Sequence, residues 1–163
     1  MVSNFRDSMS NIPTSVSILA TYDGISLSAC TISSLVSVDI SNDNPEILFV
    51  LKKESHIGSL IAKNRFFTVN VLADNQQKFA SEFSKLRDLD QEFDSNRWKL
   101  SSENFIELKG SRVIMDCEIN QVYRDHMADI YVAKVLIYKF DSTIPALIYD
   151  ERKYGSFIPN SHN

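Results

Sequence analysis

The chain has 163 residues, of which 44% are hydrophobic and 23% are charged, and its formal net charge is −4. This length and composition are typical of one compact, soluble globular domain with a sizeable core. The acidic balance argues against nucleic acid and against an anionic membrane surface as partners, because both attract a basic protein surface.

Cysteine and histidine positions give no sign of a metal site. The two cysteines, Cys30 and Cys117, lie far apart, and the three histidines are scattered. Neither pattern has metal-ligand spacing, so we expect no metal. Cys117 alternates with apolar residues, which favours a buried free thiol over a disulfide. Residues 1–12 lack the apolar core of a signal peptide, and no apolar run reaches membrane-spanning length, so we expect a cytoplasmic protein.

The first elements predicted are a short helix and a β-hairpin. Ser3 is the expected helix N-cap, and Pro13 ends the helix. Strands are then predicted over residues 14–21 and 25–32, on either side of a turn signal at residues 22–24. The apolar face of the helix consists of Phe5, Met9 and Ile12.

The next elements alternate between strand and helix patterns. Residues 39–45 read as a loop, and the continuous apolar run over residues 46–51 predicts a buried strand. A helix is expected from Ser55 to about Asn64, followed by a strand over residues 65–72. Asp74 opens another helix, with Phe79 and Phe83 on its inner face.

The last third of the chain begins with a charged, irregular segment over residues 84–110. Its predicted apolar anchors are Trp98, Leu100, Phe105 and Leu108. Residues 111–123 then alternate as a half-buried strand. Val113, Met115, Cys117 and Ile119 are expected to face inward, and Arg112, Asp116, Glu118 and Asn120 outward. Strands over residues 129–140, 143–149 and 153–157 complete the set.

About six or seven strands with two or three short helices are therefore predicted, and several connections resemble hairpins. No strand–helix alternation persists, which favours a mainly β fold, an antiparallel barrel with appended helices, over a doubly wound α/β sheet. Without an internal repeat or linker, residues 1–157 are expected to form a single domain, with a polar tail over residues 158–163.

Several common catalytic motifs are absent. The chain has only four glycines, and they cannot build a dinucleotide fingerprint or a P-loop. No nucleophile elbow is present either, and the chain has only three histidines, so acid–base and nucleophilic enzymes are poorly supported. A redox enzyme that takes its reactivity from a cofactor needs none of these motifs.

The most informative stretch is residues 31–38, which carry four hydroxyl side chains: Thr31, Ser33, Ser34 and Ser37. A short hydroxyl-rich edge lets a flat ligand lie against the backbone, and each hydroxyl can donate to or accept from polar ring atoms. Such loops are also commonly only solvated, so the flanking segments decide between the two interpretations.

Those flanks are Met9-Ser-Asn-Ile-Pro-Thr-Ser-Val-Ser, Phe67-Thr-Val-Asn-Val-Leu and Pro145-Ala-Leu-Ile-Tyr. Together with residues 31–38 they resemble the flavin reductase family of FMN-binding split barrels, and the resemblance extends from Phe5 to Phe157. It implies an antiparallel, Greek-key type split barrel. It also implies that Thr31, Ser33, Ser34 and Ser37 contact the flavin ring.

The segment Lys52-Lys53-Glu54-Ser55-His56 follows a predicted strand and begins a helix. The start of a helix, with lysines beside it, favours an anion. The resemblance implies that the flavin phosphate binds here, and Ser55 keeps the hydroxyl expected for it. A threonine usual in the family is Ile57 here, so one contact is lost, for which Lys53 or His56 could compensate. The alternative is that Ser55 only caps the helix and the lysines are solvated.

Two further positions follow from the resemblance. Asn70 is unusual within a strand, so it either bonds to backbone near the cofactor or satisfies a barrel corner. Many family members carry Gly-Asp-His on the nicotinamide side of the site, where this chain has His126-Met127-Ala128. His126 therefore lies two residues before the position of the family's histidine. Either an adjustment of the loop brings His126 to the site, or His126 is a surface residue.

The resemblance implies a homodimeric flavin reductase with FMN or FAD at the dimer interface. Hydride would pass from C4 of NADH or NADPH to N5 of the flavin, and the reduced flavin would supply a monooxygenase partner. One alternative is a flavoprotein of the same fold that does not reduce free flavin, such as an electron carrier, which the displaced His126 supports. Another is a cofactor-free interaction barrel.

Overall fold

The protein is described by a computed structural model that covers residues 4–85, 92–102 and 105–158. Its helices are α1 (Phe5–Ser10), α2 (His56–Asn64) and α3 (Gln77–Lys85), the last preceded by a 3-10 turn over Asp74–Gln76. The described residues form twelve strands: β1 (Thr14–Ser15), β2 (Ser17–Tyr22), β3 (Leu27–Ile32), β4 (Val36–Asp39), β5 (Glu46–Lys52), β6 (Phe66–Val71), β7 (Trp98–Ser102), β8 (Phe105–Leu108), β9 (Val113–Arg124), β10 (Ala128–Phe140), β11 (Leu147–Asp150) and β12 (Lys153–Ser156).

Seven strands form one antiparallel sheet in the order β3-β2-β6-β9-β10-β5-β4. Its two edge strands, β3 and β4, are consecutive in the chain and are joined by residues 33–35. In this connection the Ser34 hydroxyl accepts a hydrogen bond from the Val50 amide at 3.0 Å and donates one to the Val50 carbonyl at 3.2 Å. The sheet therefore curls into a barrel that is split between β3 and β5. The predicted mainly β split-barrel fold is confirmed.

The barrel interior is one apolar cluster to which strands from both halves of the sheet contribute. At its centre the Phe49 ring stacks on Tyr131, with ring centroids 5.1 Å apart, and meets the edge of Phe67 at 5.3 Å. Ile57 and Ile61 of α2 complete this cluster. Helix α2 therefore covers one end of the barrel, because its apolar side chains are inserted between the strands.

A second apolar cluster lies on the outer face of β2 and β3. Ile18 and Ala29 of these strands pack against Phe83 of α3 and Leu108 of β8, and Trp98 completes the cluster. The indole of Trp98 meets the Phe83 ring edge-on, with centroids 5.7 Å apart. This cluster fixes α3 and the β7–β8 hairpin on the outside of the barrel.

The prediction of an irregular segment over residues 84–110 is wrong for residues 98–102 and 105–108, where β7 pairs with β8. The hairpin is bound to the barrel by side chains of β6. Thr68 accepts a hydrogen bond from the Ile106 amide at 3.1 Å, and Asn70 accepts one from the Leu108 amide at 2.8 Å. Charged residues in this segment obscured the strand pattern, because β7 is exposed after Trp98 and the charged Glu107 lies within the buried strand β8.

Asp116, predicted to face solvent, is instead buried beneath the β7–β8 hairpin. Its carboxylate accepts hydrogen bonds from the hydroxyls of Thr68, at 3.0 Å, and Ser101, at 3.3 Å. Burial raises the pKa of the Asp116 carboxyl, although both hydrogen bonds act in the opposite direction. The strand pattern correctly placed Asp116 on the outer face, but the hairpin that covers this face is a tertiary contact.

The smaller sheet β1-β11-β12 carries the N-terminal helix. Asn4 caps α1 by accepting a hydrogen bond from the Asp7 amide at 3.0 Å, whereas the predicted cap Ser3 lies outside the described residues. An ion pair between Asp7 and Arg152 connects α1 to the β11–β12 turn. Of the predicted tail, Ile158 is described and is exposed.

None of the helices in the described ranges combines the length and the apolar character needed to cross a membrane.

Candidate functional site

A cavity of about 690 Å³ opens where β3 and β5 diverge. Such a volume is typical of sites for small molecules and cofactors. In the described part of the chain β3 is an edge strand, so its outward backbone N–H and C=O groups face this space. The wall is formed by residues 28–34 of β3 and its continuation, residues 50–57 of β5 and α2, Phe83, Ser84 and Ala128.

Three of the predicted ring-contacting hydroxyls line this cavity: Thr31, Ser33 and Ser34. The Thr31 hydroxyl donates a hydrogen bond to the Ala80 carbonyl at 2.8 Å and so attaches β3 to α3. Ser34 is bonded to Val50, as described above, whereas the Ser33 side chain is exposed. The hydroxyls of Thr31 and Ser34 thus shape the wall, and the backbone edge together with Ser33 presents polar atoms to a ligand.

Cys30 also lines the cavity, a position that the sequence analysis did not assign to the site. Burial raises the pKa of the Cys30 thiol to about 12. The thiol is therefore protonated at neutral pH and is a poor nucleophile. Cys30 is consequently a compact, weakly polar part of the wall.

The start of α2 forms the other end of the cavity. Ser55 caps the helix, and its hydroxyl accepts a hydrogen bond from the Gly58 amide at 3.4 Å. Lys52 and Lys53 are exposed on the same wall, and His56 also lines it. Positive side chains at a helix N-terminus favour an anionic group, so this end of the cavity fits a phosphate.

The loop before α2 is held in place by backbone contacts. The Lys53 amide donates a hydrogen bond to the Met127 carbonyl at 3.2 Å, which ties the loop to the tip of the β9–β10 hairpin. Ile57, where the resemblance implies a threonine, is only 5% exposed and belongs to the barrel core. The side chain at position 57 therefore packs in the barrel core and offers no hydroxyl to a phosphate.

Gly58 allows α2 to approach the barrel closely. A Cβ atom at Gly58 would lie 2.7 Å from the Tyr131 hydroxyl and 3.4 Å from Cδ1 of Leu51. The first of these distances is shorter than a van der Waals contact, so a side chain at this position would displace the helix start. Sequence reasoning missed Gly58, because nothing in its local pattern distinguishes it from an ordinary helical glycine.

Three predicted site residues lie outside the cavity wall. Ser37 is exposed on β4, and His126 is exposed at the tip of the β9–β10 hairpin. Ala128, two residues after His126, does line the cavity. Asn70 is fully buried, and its amide donates a hydrogen bond to the Ile18 carbonyl at 3.4 Å in addition to accepting the one from Leu108. These contacts support the structural alternative for Asn70.

Replacement of Asn70 by alanine should therefore destabilise the fold without weakening flavin binding. The variant would leave the Leu108 amide buried without its acceptor, which costs about 1–3 kcal/mol of unfolding free energy. Urea unfolding and a flavin titration would measure the two effects separately. Asn75→Ala is a suitable control, because Asn75 is exposed. If the Asn70→Ala variant has unchanged stability but binds flavin more weakly, Asn70 has a role in cofactor binding.

Comparison with known proteins agrees with this geometry. Residues 9–157 match the profile of the Flavin reductase like domain family. The FMN reductase (NADH) RutF of Serratia proteamaculans is 25% identical over 155 residues, which cover 95% of this chain and 87% of that protein. The protein of the same name from Acinetobacter baylyi is 26% identical over 92% of this chain and 79% of its own length.

Solved structures share the fold. The Streptomyces globisporus NADH:FAD oxidoreductase SgcE6, in complex with NAD and FAD fragments, superposes with a TM-score of 0.85 at 22% identity, covering 96% of this chain and 93% of that chain. The styrene monooxygenase flavin reductase from Pseudomonas putida S12 superposes with a TM-score of 0.82 at 21% identity, covering 96% and 99%. With the family profile matched along nearly its whole length, the chain belongs to the flavin reductase-like domain family.

Proposed function

We propose that this protein is a flavin reductase that transfers hydride from NADH or NADPH to FMN or FAD. The observation that carries the proposal is the cavity that joins the backbone edge of β3 to the anion-favouring start of α2. The curated relatives support the same activity, since they are named FMN reductase (NADH).

The wall suits the two ends of a flavin nucleotide. Residues 30–34 provide a narrow polar edge against which a flat ring lies, with backbone N–H groups available to stabilise negative charge on it. Lys53, Ser55 and His56 lie where a phosphate would bind at the start of α2. The bound flavin supplies the hydride-accepting chemistry, and the protein holds the two ring systems at reactive distance.

The residues on the nicotinamide side of the cavity help to decide between a flavin reductase and an FMN-binding electron carrier. Among the described residues His56 is the one histidine on the wall, and Ala128 stands where the resemblance implies a histidine. A reductase built this way depends on positioning and on exclusion of water, without a proton from His126. The same observation favours the second candidate, an FMN-binding electron carrier.

A homodimer is proposed from the outer face of the barrel. Paired residues of β4, β5 and β10 form two apolar rows on this face, Val36–Leu48–Val132 and Val50–Ile130. Solvent-facing sheets are usually polar on this side, so a continuous apolar face indicates a covering partner. Val50 also lines the cavity, so a second copy placed here would close its open side. Size-exclusion chromatography coupled to light scattering measures the oligomeric state.

The proposed recipient of the reduced flavin is a monooxygenase in the cytoplasm. Two solved structures of the same fold support this partner by their names, the styrene monooxygenase flavin reductase and the flavin reductase component BorF of a bacterial tryptophan halogenase.

Anaerobic mixing of the purified protein with FMN and NADH tests the proposed function. We expect rapid loss of the flavin absorbance band that depends on the protein, and a parallel series with NADPH and FAD gives the preferred substrates. Flavin that binds but is not reduced would favour the electron carrier. A protein that binds no flavin would contradict both functions and favour the cofactor-free barrel.

A further inference from the structure

Asp129 is a buried acidic residue to which the proposed function gives no role. It is only 8% exposed, and its Oδ1 atom has no hydrogen-bond partner in the described part of the chain. An unpaired carboxylate oxygen in the interior is costly, so its presence calls for an explanation. Asp129 follows Ala128 and pairs across the sheet with Leu51, and both neighbours line the cavity.

Asp129 is buried, and its partner across the sheet is Leu51, which lies near the start of α2. Asp129 shares the interior face of β10 with Tyr131, two residues further along the strand. A Cβ atom added at Gly58, the third residue of α2, would have the Tyr131 hydroxyl and Cδ1 of Leu51 as its nearest neighbours. The pKa of the Tyr131 hydroxyl is raised, first by burial and second by the negative charge of Asp129. Asp129 therefore acts electrostatically on the groups near the start of α2.

We propose that Asp129 is a specificity-determining residue that weakens the binding of the flavin phosphate at the start of α2. This inference rests on the proposed function and deepens it. Two like charges repel, and the repulsion is screened less when one of them is buried. The other charged groups at this corner, Lys52, Lys53, Glu54 and Arg124, are exposed, so water and salt reduce their effect.

A buried charge placed here has a functional consequence. The helix start and the lysines attract the phosphate, while Asp129 opposes that attraction through the protein interior. Because attraction and repulsion oppose each other, the flavin nucleotide binds weakly and exchanges with free flavin. Weak binding suits a reductase that releases its reduced flavin to a partner. The loss of a polar contact at Ile57 acts in the same direction.

The test compares FMN, which carries the phosphate, with riboflavin, which lacks it. In Asp129→Asn we expect FMN to bind roughly 15-fold more tightly, as Coulomb's law gives for two unit charges roughly 10 Å apart at an effective dielectric constant of about 20. Riboflavin affinity should be unchanged. High salt should leave this gain largely in place, because the removed charge is buried. Asp43→Asn, in an exposed loop, is the control for net charge.

The possible outcomes separate the two proposals. If wild-type protein binds neither FMN nor riboflavin, the proposed function fails and the inference fails with it. If wild-type protein binds both and Asp129→Asn changes them by the same factor, the reductase proposal stands and the inference is overturned. Asp129→Ser is a second uncharged variant that should reproduce the FMN gain. Failure of both variants to fold would assign Asp129 to stability alone and also overturn the inference.

Discussion

Gly58→Ala should lower the free energy of unfolding by about 1–3 kcal/mol, the range expected for overpacking a well-filled core. The new methyl group would lie 2.7 Å from the Tyr131 hydroxyl, and the stacking of Tyr131 on Phe49 prevents the ring from yielding. The helix start must then move, and with it Ser55 and the phosphate end of the cavity. Urea unfolding and FMN titration should both report the change.

A second substitution provides the control for this prediction. Tyr131→Phe removes the clashing hydroxyl and keeps the stacked ring. In that background Gly58→Ala should be neutral or should stabilise the protein by up to about 1 kcal/mol, because alanine is the better helix former. Equal destabilisation in both backgrounds would show that the contact between Gly58 and Tyr131 does not set the position of α2.

Combined replacement of Lys53 and Ser55 by alanine should weaken FMN binding about 10- to 100-fold. This range corresponds to the loss of one charge-assisted hydrogen bond to the phosphate, which contributes roughly 1.5–3 kcal/mol, since about 1.4 kcal/mol corresponds to a factor of ten. Riboflavin, which has no phosphate, should bind nearly as it does to the wild-type protein. Fluorescence titration with the two flavins measures the ratio directly.

The same helix offers a matched control. Ser59 and Lys63 are exposed residues further along α2, and neither lines the cavity. Their combined replacement by alanine removes the same side-chain types and should leave both flavins unaffected. If Lys53→Ala with Ser55→Ala weakens FMN and riboflavin equally, Ser55 acts only as the helix cap, and the phosphate binds elsewhere.

Features with a local physical cause were predictable from the sequence. The apolar run of β5 followed by Ser55 predicted a strand that leads into a capped helix, and the structure has β5 and α2 at these positions. The turn signal at residues 22–24 predicted the β2–β3 hairpin, which is confirmed. The hydroxyl-rich stretch drew attention to the edge of β3, where Thr31, Ser33 and Ser34 line the cavity.

Features that depend on tertiary contacts were not predictable in this way. The burial of Asp116 requires the β7–β8 hairpin to fold over the outer face of the barrel, and a strand pattern alone does not show this. The two hydrogen bonds of Asn70 join strands that are far apart in sequence. The need for glycine at position 58 arises from the hydroxyl of a residue 73 positions later in the chain, Tyr131.

The site also shows how one residue type can serve two purposes. The predicted role of the hydroxyls was direct contact with a ligand. Thr31 and Ser34 instead bond to Ala80 and Val50 and hold the cavity open between β3, α3 and β5. Composition indicates where such polar groups concentrate, but the direction of each hydroxyl is set by its neighbours.

A crystal structure of the protein with FMN tests the central claim most directly. We predict that the flavin ring lies along residues 30–34 at the edge of β3, with its phosphate at Ser55 and the start of α2. An FMN molecule bound outside this cavity, or crystals grown in saturating FMN whose cavity contains no flavin, would contradict the account.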